Sequence, residues 1–155
     1  DRVRFSRRPD TWDITGLVKV AVSLGLLVTA ELVLFVHAGP MYFGIVNLPQ
    51  LQTFTFQALI FIELLDVLII RERRHFWCSK PSKALLAALT LDLFVVFFIS
   101  TMGFPGIEPI PLGAAMAVVV FALAAVFLVN DPVKVFLVRR FWGREGERIP
   151  MQGNR

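Results

Sequence analysis

Residues 112–129 read LGAAMAVVVFALAAVFLV, eighteen consecutive residues without a charged side chain. At a rise of about 1.5 Å per residue, a helix of this length comes close to crossing the ~30 Å hydrocarbon core of a bilayer. Three other segments, at 14–36, 53–70 and 82–102, are also long and strongly apolar. The sequence therefore predicts an all-α membrane protein with four transmembrane helices.

The composition favours the same fold class. The chain has 155 residues, of which 56% are hydrophobic, and its mean hydropathy is +0.69. These values are too high for an ordinary soluble domain. The formal net charge is +4, but most of the basic residues flank the apolar segments. This arrangement favours a lipid bilayer with anionic headgroups as the partner, and no nucleic-acid partner is expected.

The distribution of positive charge predicts the orientation in the membrane. Residues 37–52 and 103–112, which follow the first and third apolar segments, contain no Lys or Arg. Cytoplasmic loops retain Lys and Arg, whereas translocated loops avoid them, so both ends of the chain are predicted to be cytoplasmic. Most basic residues lie near the N-terminus, in the central loop or near the C-terminus: Arg2, Arg4, Arg7, Arg8, Arg71, Arg73, Arg74, Lys80, Lys83, Lys134, Arg139, Arg140, Arg144 and Arg148.

The predicted organisation has three parts. Residues 1–13 form a cytoplasmic loop, residues 14–142 a four-helix membrane domain, and residues 143–155 a polar tail. Within the domain, Pro132 is expected to break or kink the fourth helix before a basic amphipathic segment. Because the chain starts at Asp1 with an Arg-rich loop, it is expected to be a fragment or to have lost an upstream part.

Four acidic residues lie inside the apolar segments and are the candidate functional residues: Glu31, Glu63, Asp66 and Asp92. An intramembrane acid costs about 2.5–3.5 kcal/mol at the helix centre and is therefore a functional candidate. Glu63 and Asp66 are three residues apart on one predicted helix, so they could form a proton or cation relay. Alternatively, Asp66 pairs with Arg71 or with water, and Asp92 bonds to polar groups of a neighbouring helix.

The sequence contains no recognisable catalytic or metal-binding pattern. No nucleophile–histidine–acid arrangement and no phosphate-binding glycine loop occurs. His75 and Cys78 are too isolated to supply the three or four ligands of a metal site. A single cysteine excludes an internal disulfide. We therefore predict no catalytic, metal or cofactor-binding residue in this chain.

Three short motifs resemble those of P-type proton-pumping ATPases. Residues 1–12 read DRVRFSRRPDTW and resemble the loop after the sixth helix of these pumps. Residues 76–82 read FWCSKPS and resemble the segment that introduces their ninth helix. Residues 128–134 read LVNDPVK and resemble the end of their tenth helix, where Asn-Asp-x-x-Lys is common in bacterial and archaeal members. The motifs occur in the right order over essentially the whole chain.

The resemblance implies the seventh to tenth helices of a pump, in the plasma (inner) membrane. The partner would then be the N-terminal part of the pump, with six helices and the cytoplasmic domains that use ATP and Mg²⁺. The family's Asp-Lys-Thr-Gly-Thr phosphorylation loop does not occur here, so no catalytic residue is carried over onto this chain. The parent protein would be an ATP-driven, proton-translocating enzyme, and the sequence leaves open whether this chain belongs to an enzyme. The expected role is support of the transport helices.

Two other interpretations of the sequence remain open. The chain could be an autonomous small membrane protein, derived from such a pump and acting as a subunit of another complex. It could also be a small proton or cation channel that uses the intramembrane acids Glu63 and Asp66. The family resemblance alone suggests that the transported ion is a proton. The identity of this ion does not distinguish these two interpretations from the support domain of a pump.

Overall fold

The computed structural model describes residues 14–72 and 74–142, and these residues are all-helical. The helices, in chain order, are α1 (Ile14–Tyr42), α2 (Leu48–Ile70), a 3₁₀ turn (Phe76–Cys78), α3 (Lys83–Met102), α4 (Leu112–Ala124), a π-helical segment (Ala125–Asn130) and α5 (Asp131–Trp142). Four helical stretches are long and apolar enough to span a membrane, the fourth being Leu112–Phe141. The predicted fold class is thus confirmed. The predicted loop at 1–13 and tail at 143–155 lie outside the described residues.

Local sequence signals determine where two of the helices begin. Asn47 precedes α2, and its side chain accepts a hydrogen bond of 2.9 Å from the backbone N–H of Gln50. Ser82 precedes α3 and accepts one of 3.2 Å from the N–H of Leu85. Asn and Ser are preferred at these positions because their oxygens satisfy backbone donors that lack a partner within the helix. α1 continues to Tyr42, six residues beyond the predicted end at Val36.

Helix α2 lies at the centre of the bundle and packs against α1, α3 and α4. One face of α2 is buried against α4 and α1, whereas α3 is mostly exposed. The small residues at the centre are Ala58, Ala114, Ala115 and Ala122, which let helix backbones approach closely. The core residues of α2, α4 and the π-helical segment are Phe54, Ala58, Phe61, Ile62, Leu65, Ile69, Ala114, Ala115, Val118, Ala122 and Val126.

The two ends of the bundle differ in chemistry. We call the end at which α2 ends at Ile70 and α3 begins at Lys83 the basic end, and the other the opposite end. At the opposite end, Gly103 and Gly106 have φ of +80° and +88°, and a tight turn joins α3 to α4. Such left-handed conformations favour glycine because they strain other L-residues. The Asn47 amide donates to Glu108 at 2.9 Å, which joins this turn to the start of α2.

Of the break or kink expected at Pro132, the break does not occur, because the fourth helical stretch is continuous from Leu112 to Phe141. The backbone N–H of Asp131 bonds to the carbonyl of Val126, five residues earlier, and helical structure then continues into α5. Pro132 lies in the first turn of α5, where the missing proline N–H is tolerated. A π-helical segment with its wider turn therefore replaces the expected break.

Candidate functional site

A polar cluster lies between α1, α2 and the π-helical segment. It consists of Glu31, Asp66 and Asn130, and we call it the carboxyl cluster. Asn130 is fully buried, Asp66 is 8% exposed and Glu31 is half-buried. Glu31 lies eleven residues before Tyr42, or about 16 Å along α1. Asp66 lies four residues, or about 6 Å, before the end of α2 at Ile70. The cluster is therefore inside the span of both helices.

The Asn130 amide lies between the two carboxyl groups. Its nitrogen is 3.3 Å from Asp66 Oδ1. If the amide group is turned over, the nitrogen lies 3.2 Å from each of the Glu31 carboxyl oxygens. Because the oxygen and nitrogen of an amide are distinguished only by the bonds they make, both orientations describe the same placement. The Asn130 side chain thus lies between the acids of α1 and α2, and its nitrogen donates to one of them at a time.

The π-helical segment is what brings Asn130 and Asp131 into the bundle at successive positions. Both side chains are fully buried, although they are neighbours in sequence. Asn130 bonds to the carboxyl cluster, whereas Asp131 bonds to groups at the basic end. π-helical turns occur frequently at functional sites. This local change in helix geometry therefore connects two polar clusters.

The second cluster contains Asp131, Lys134 and His75, and we call it the loop clasp. The carboxylate of Asp131 is 2.7 Å from Lys134 Nζ and 2.7 Å from His75 Nδ1. It also accepts a bond of 3.1 Å from the backbone N–H of Phe76. Asp131 is fully buried and Lys134 is 3% exposed. The clasp therefore holds the loop after α2 against the start of α5.

Lys134 also closes the end of α2. Its ammonium group donates to the carbonyls of Ile69 at 2.6 Å and Arg74 at 2.8 Å, besides its bond to Asp131. All three ammonium protons are thus used. The last carbonyls of a helix lack partners within the helix, and a lysine close to them is favourable. Lys134 is consequently both an ion-pair partner and a cap for α2.

The structure separates the four acids that the sequence singled out. Asp66 and Glu31 join the carboxyl cluster, whereas Glu63 and Asp92 are exposed. Within residues 14–72 and 74–142, neither Glu63 nor Asp92 forms a hydrogen bond or ion pair. The alternative in which Asp66 pairs with Arg71 is not found among the described residues: Arg71 donates to the carbonyls of Ser79 and Lys80, and Asp66 bonds to Asn130.

The residues that organise the two clusters do not stand out as a site in the sequence. Asn130, Asp131 and Lys134 belong to the family-like motif at 128–134, and His75 is too isolated to be a metal ligand. One signal was available: Asp131 and Lys134 are three residues apart, which places opposite charges on one helix face. Among the described residues, no group of three or more His, Cys, Asp or Glu side chains could hold a metal ion.

Comparison with known proteins gives one distant relative. No protein-family model matches the chain. The chain is 24% identical over 114 residues, or 68% of its length, to a probable plasma membrane ATPase of Dictyostelium discoideum. The match covers 11% of that much longer protein. The chain is therefore a membrane-helical segment with distant similarity to a small part of a plasma membrane ATPase.

Proposed function

We propose that this chain is the C-terminal support domain of a P-type ATPase of the plasma membrane that translocates a cation, with a proton as the cation. The observation that carries the proposal is the similarity to a probable plasma membrane ATPase, which extends over 68% of the chain but 11% of the relative. A support domain of this kind contains no ATP-binding residues. It packs against the upstream transport helices with both of its ends in the cytoplasm.

Exposed acids within the spans support the proposal. Asp92 is the tenth of the twenty residues of α3, and it is exposed. Glu63 lies seven residues, or about 10 Å, before the end of α2 and is also exposed. A carboxylate facing lipid at this depth costs about 2.5–3.5 kcal/mol on the insertion scale. Further transmembrane helices with polar groups would cover these acids and remove this cost.

Photo-crosslinking tests the proposal in membranes that contain the complete system. Cys78, which is exposed, is first replaced by serine to remove background labelling. A benzophenone probe is then attached at Glu63→Cys, at Asp92→Cys, or at Val120→Cys, an exposed apolar control on α4. We expect the probe at position 63 or 92 to label a larger polypeptide, or a segment of the same polypeptide, that contains Asp-Lys-Thr-Gly-Thr. Labelling of lipid alone at both positions would contradict the proposal.

The two other interpretations predict different products. An autonomous subunit of another complex would crosslink to polypeptides without the phosphorylation motif. A channel built on Glu63 and Asp66 would need both side chains along one path. In the structure Glu63 is exposed, whereas Asp66 is buried and bonds to Asn130. Transport that is unchanged by Glu63→Gln would remove the channel interpretation.

A further inference from the structure

The carboxyl cluster has an unusual hydrogen-bonding requirement. An amide group has one donor side and one acceptor side, whereas an ionised carboxylate only accepts hydrogen bonds. When the Asn130 nitrogen donates to Asp66, at 3.3 Å, the Asn130 oxygen occupies the position 3.2 Å from the Glu31 oxygens. When the amide is turned over, its oxygen faces Asp66 Oδ1 instead. In either orientation an amide oxygen faces a carboxyl oxygen.

No cation of the described residues neutralises this cluster. The charged groups that act on Asp66 are Glu31, Glu63 and Lys134. Lys134 directs its ammonium protons to Asp131 and to the carbonyls of Ile69 and Arg74. Two ionised carboxylates around a fully buried amide would therefore repel each other in surroundings of low dielectric. The Asn130 oxygen would also lack a donor, although buried polar atoms are normally hydrogen-bonded.

We propose that Glu31, Asn130 and Asp66 form a binding site for one proton. The protonated carboxyl group donates to the Asn130 oxygen, and the Asn130 nitrogen donates to the carboxyl group that remains ionised. One proton thus removes the charge repulsion and supplies the missing donor. Turning over the amide corresponds to the proton residing on the other carboxyl group, so Asn130 can adapt to both states. The site belongs to this chain and does not depend on the proposed function.

The number of bound protons distinguishes this arrangement from its alternatives. Infrared spectroscopy of the protein in lipid measures protonated carboxyl groups through their carbonyl stretch. At neutral pH we expect Glu31→Gln and Asp66→Asn each to lose the signal of one protonated carboxyl group per chain. The double variant should lose no more than either single variant, because the two groups share one proton. Loss of two signals in the double variant, or of none, would overturn the proposal.

Two exposed acids provide matched controls. Glu63→Gln and Asp92→Asn neutralise carboxyl groups outside the cluster, so any signal they lose should add to the loss in Glu31→Gln. If adding Glu31→Gln to these control substitutions caused no further loss of the protonated-carboxyl signal, that signal would belong to the exposed acids and the proposal would be wrong. Spectra recorded with and without Na⁺ test whether the site binds a proton or a metal cation. A protonated-carboxyl signal that appears only when Na⁺ is removed would show that the site holds a metal cation instead.

Discussion

Replacing Lys134 with methionine should lower the free energy of unfolding by about 3 kcal/mol, within the range of about 3–5 kcal/mol for breaking a buried ion pair. Methionine keeps most of the apolar stem but removes the ammonium group. The buried carboxylate of Asp131 then loses its partner at 2.7 Å, and the carbonyls of Ile69 and Arg74 lose their donor. The remaining bonds from His75 and from the Phe76 N–H to Asp131 place the expected value at the lower end.

The unfolding equilibrium in mixed detergent micelles, followed by circular dichroism, measures this change. Lys83→Met is the matched control, because Lys83 is exposed at the first turn of α3. Its effect should stay within about 0.5 kcal/mol. A double-mutant cycle with Asp131→Asn isolates the ion pair, and we expect a coupling energy of about 1–3 kcal/mol.

Comparison of Lys134→Met with its control and with the Asp131 cycle shows whether the buried ammonium group stabilises the protein. If Lys134→Met and Lys83→Met had equal, small effects, the ammonium group of Lys134 would be solvated and the loop clasp would not hold the loop after α2. A large effect of Lys134→Met with no coupling to Asp131 would mean that the stabilisation comes from the hydrogen bonds of Lys134 to the carbonyls of Ile69 and Arg74.

Two further substitutions test the packing and the connections at the opposite end. Gly39→Ala places a Cβ atom 2.9 Å from the fully buried ring of Phe54 and should destabilise the protein by about 1–3 kcal/mol. Gly25→Ala is the control: its Cβ has nothing within 4 Å, so this substitution should be neutral or stabilising. Equal effects of the two substitutions in thermal unfolding would contradict this packing. Asn47→Ala should cost about 1–2 kcal/mol and more than Ser82→Ala, because both cap a helix but Asn47 also bonds across to the turn between α3 and α4. Equal losses in the same unfolding measurement would show that this cross-connection contributes nothing.

The intramembrane acids show how far the sequence could lead to the candidate site. Their positions in apolar segments make all four acids candidates, and the structure brings two of them, Glu31 and Asp66, together around Asn130. The spacing of three residues on one helix suggested Glu63 as a partner of Asp66, with Arg71 or water as the alternative. In the structure the partner is Asn130, sixty-four residues away along the chain. A contact over this separation depends on how α2 and the π-helical segment pack, and the spacing along one helix contains no information about that packing.

The sequence by itself determined that the chain forms helices long enough to cross a membrane, since long, strongly apolar segments with few charges leave few other ways to satisfy the backbone in lipid. The caps at Asn47 and Ser82 are local as well, although the apolar segment predicted from residue 53 begins five residues after the start of α2 at Leu48. Only the tertiary structure decided which faces are buried. In lipid, helices that are apolar all round gain no hydrophobic free energy from turning one face inward. Van der Waals packing and hydrogen bonds therefore determine which face is buried. Those contacts buried Asn130, Asp131 and Lys134 and left Glu63 exposed.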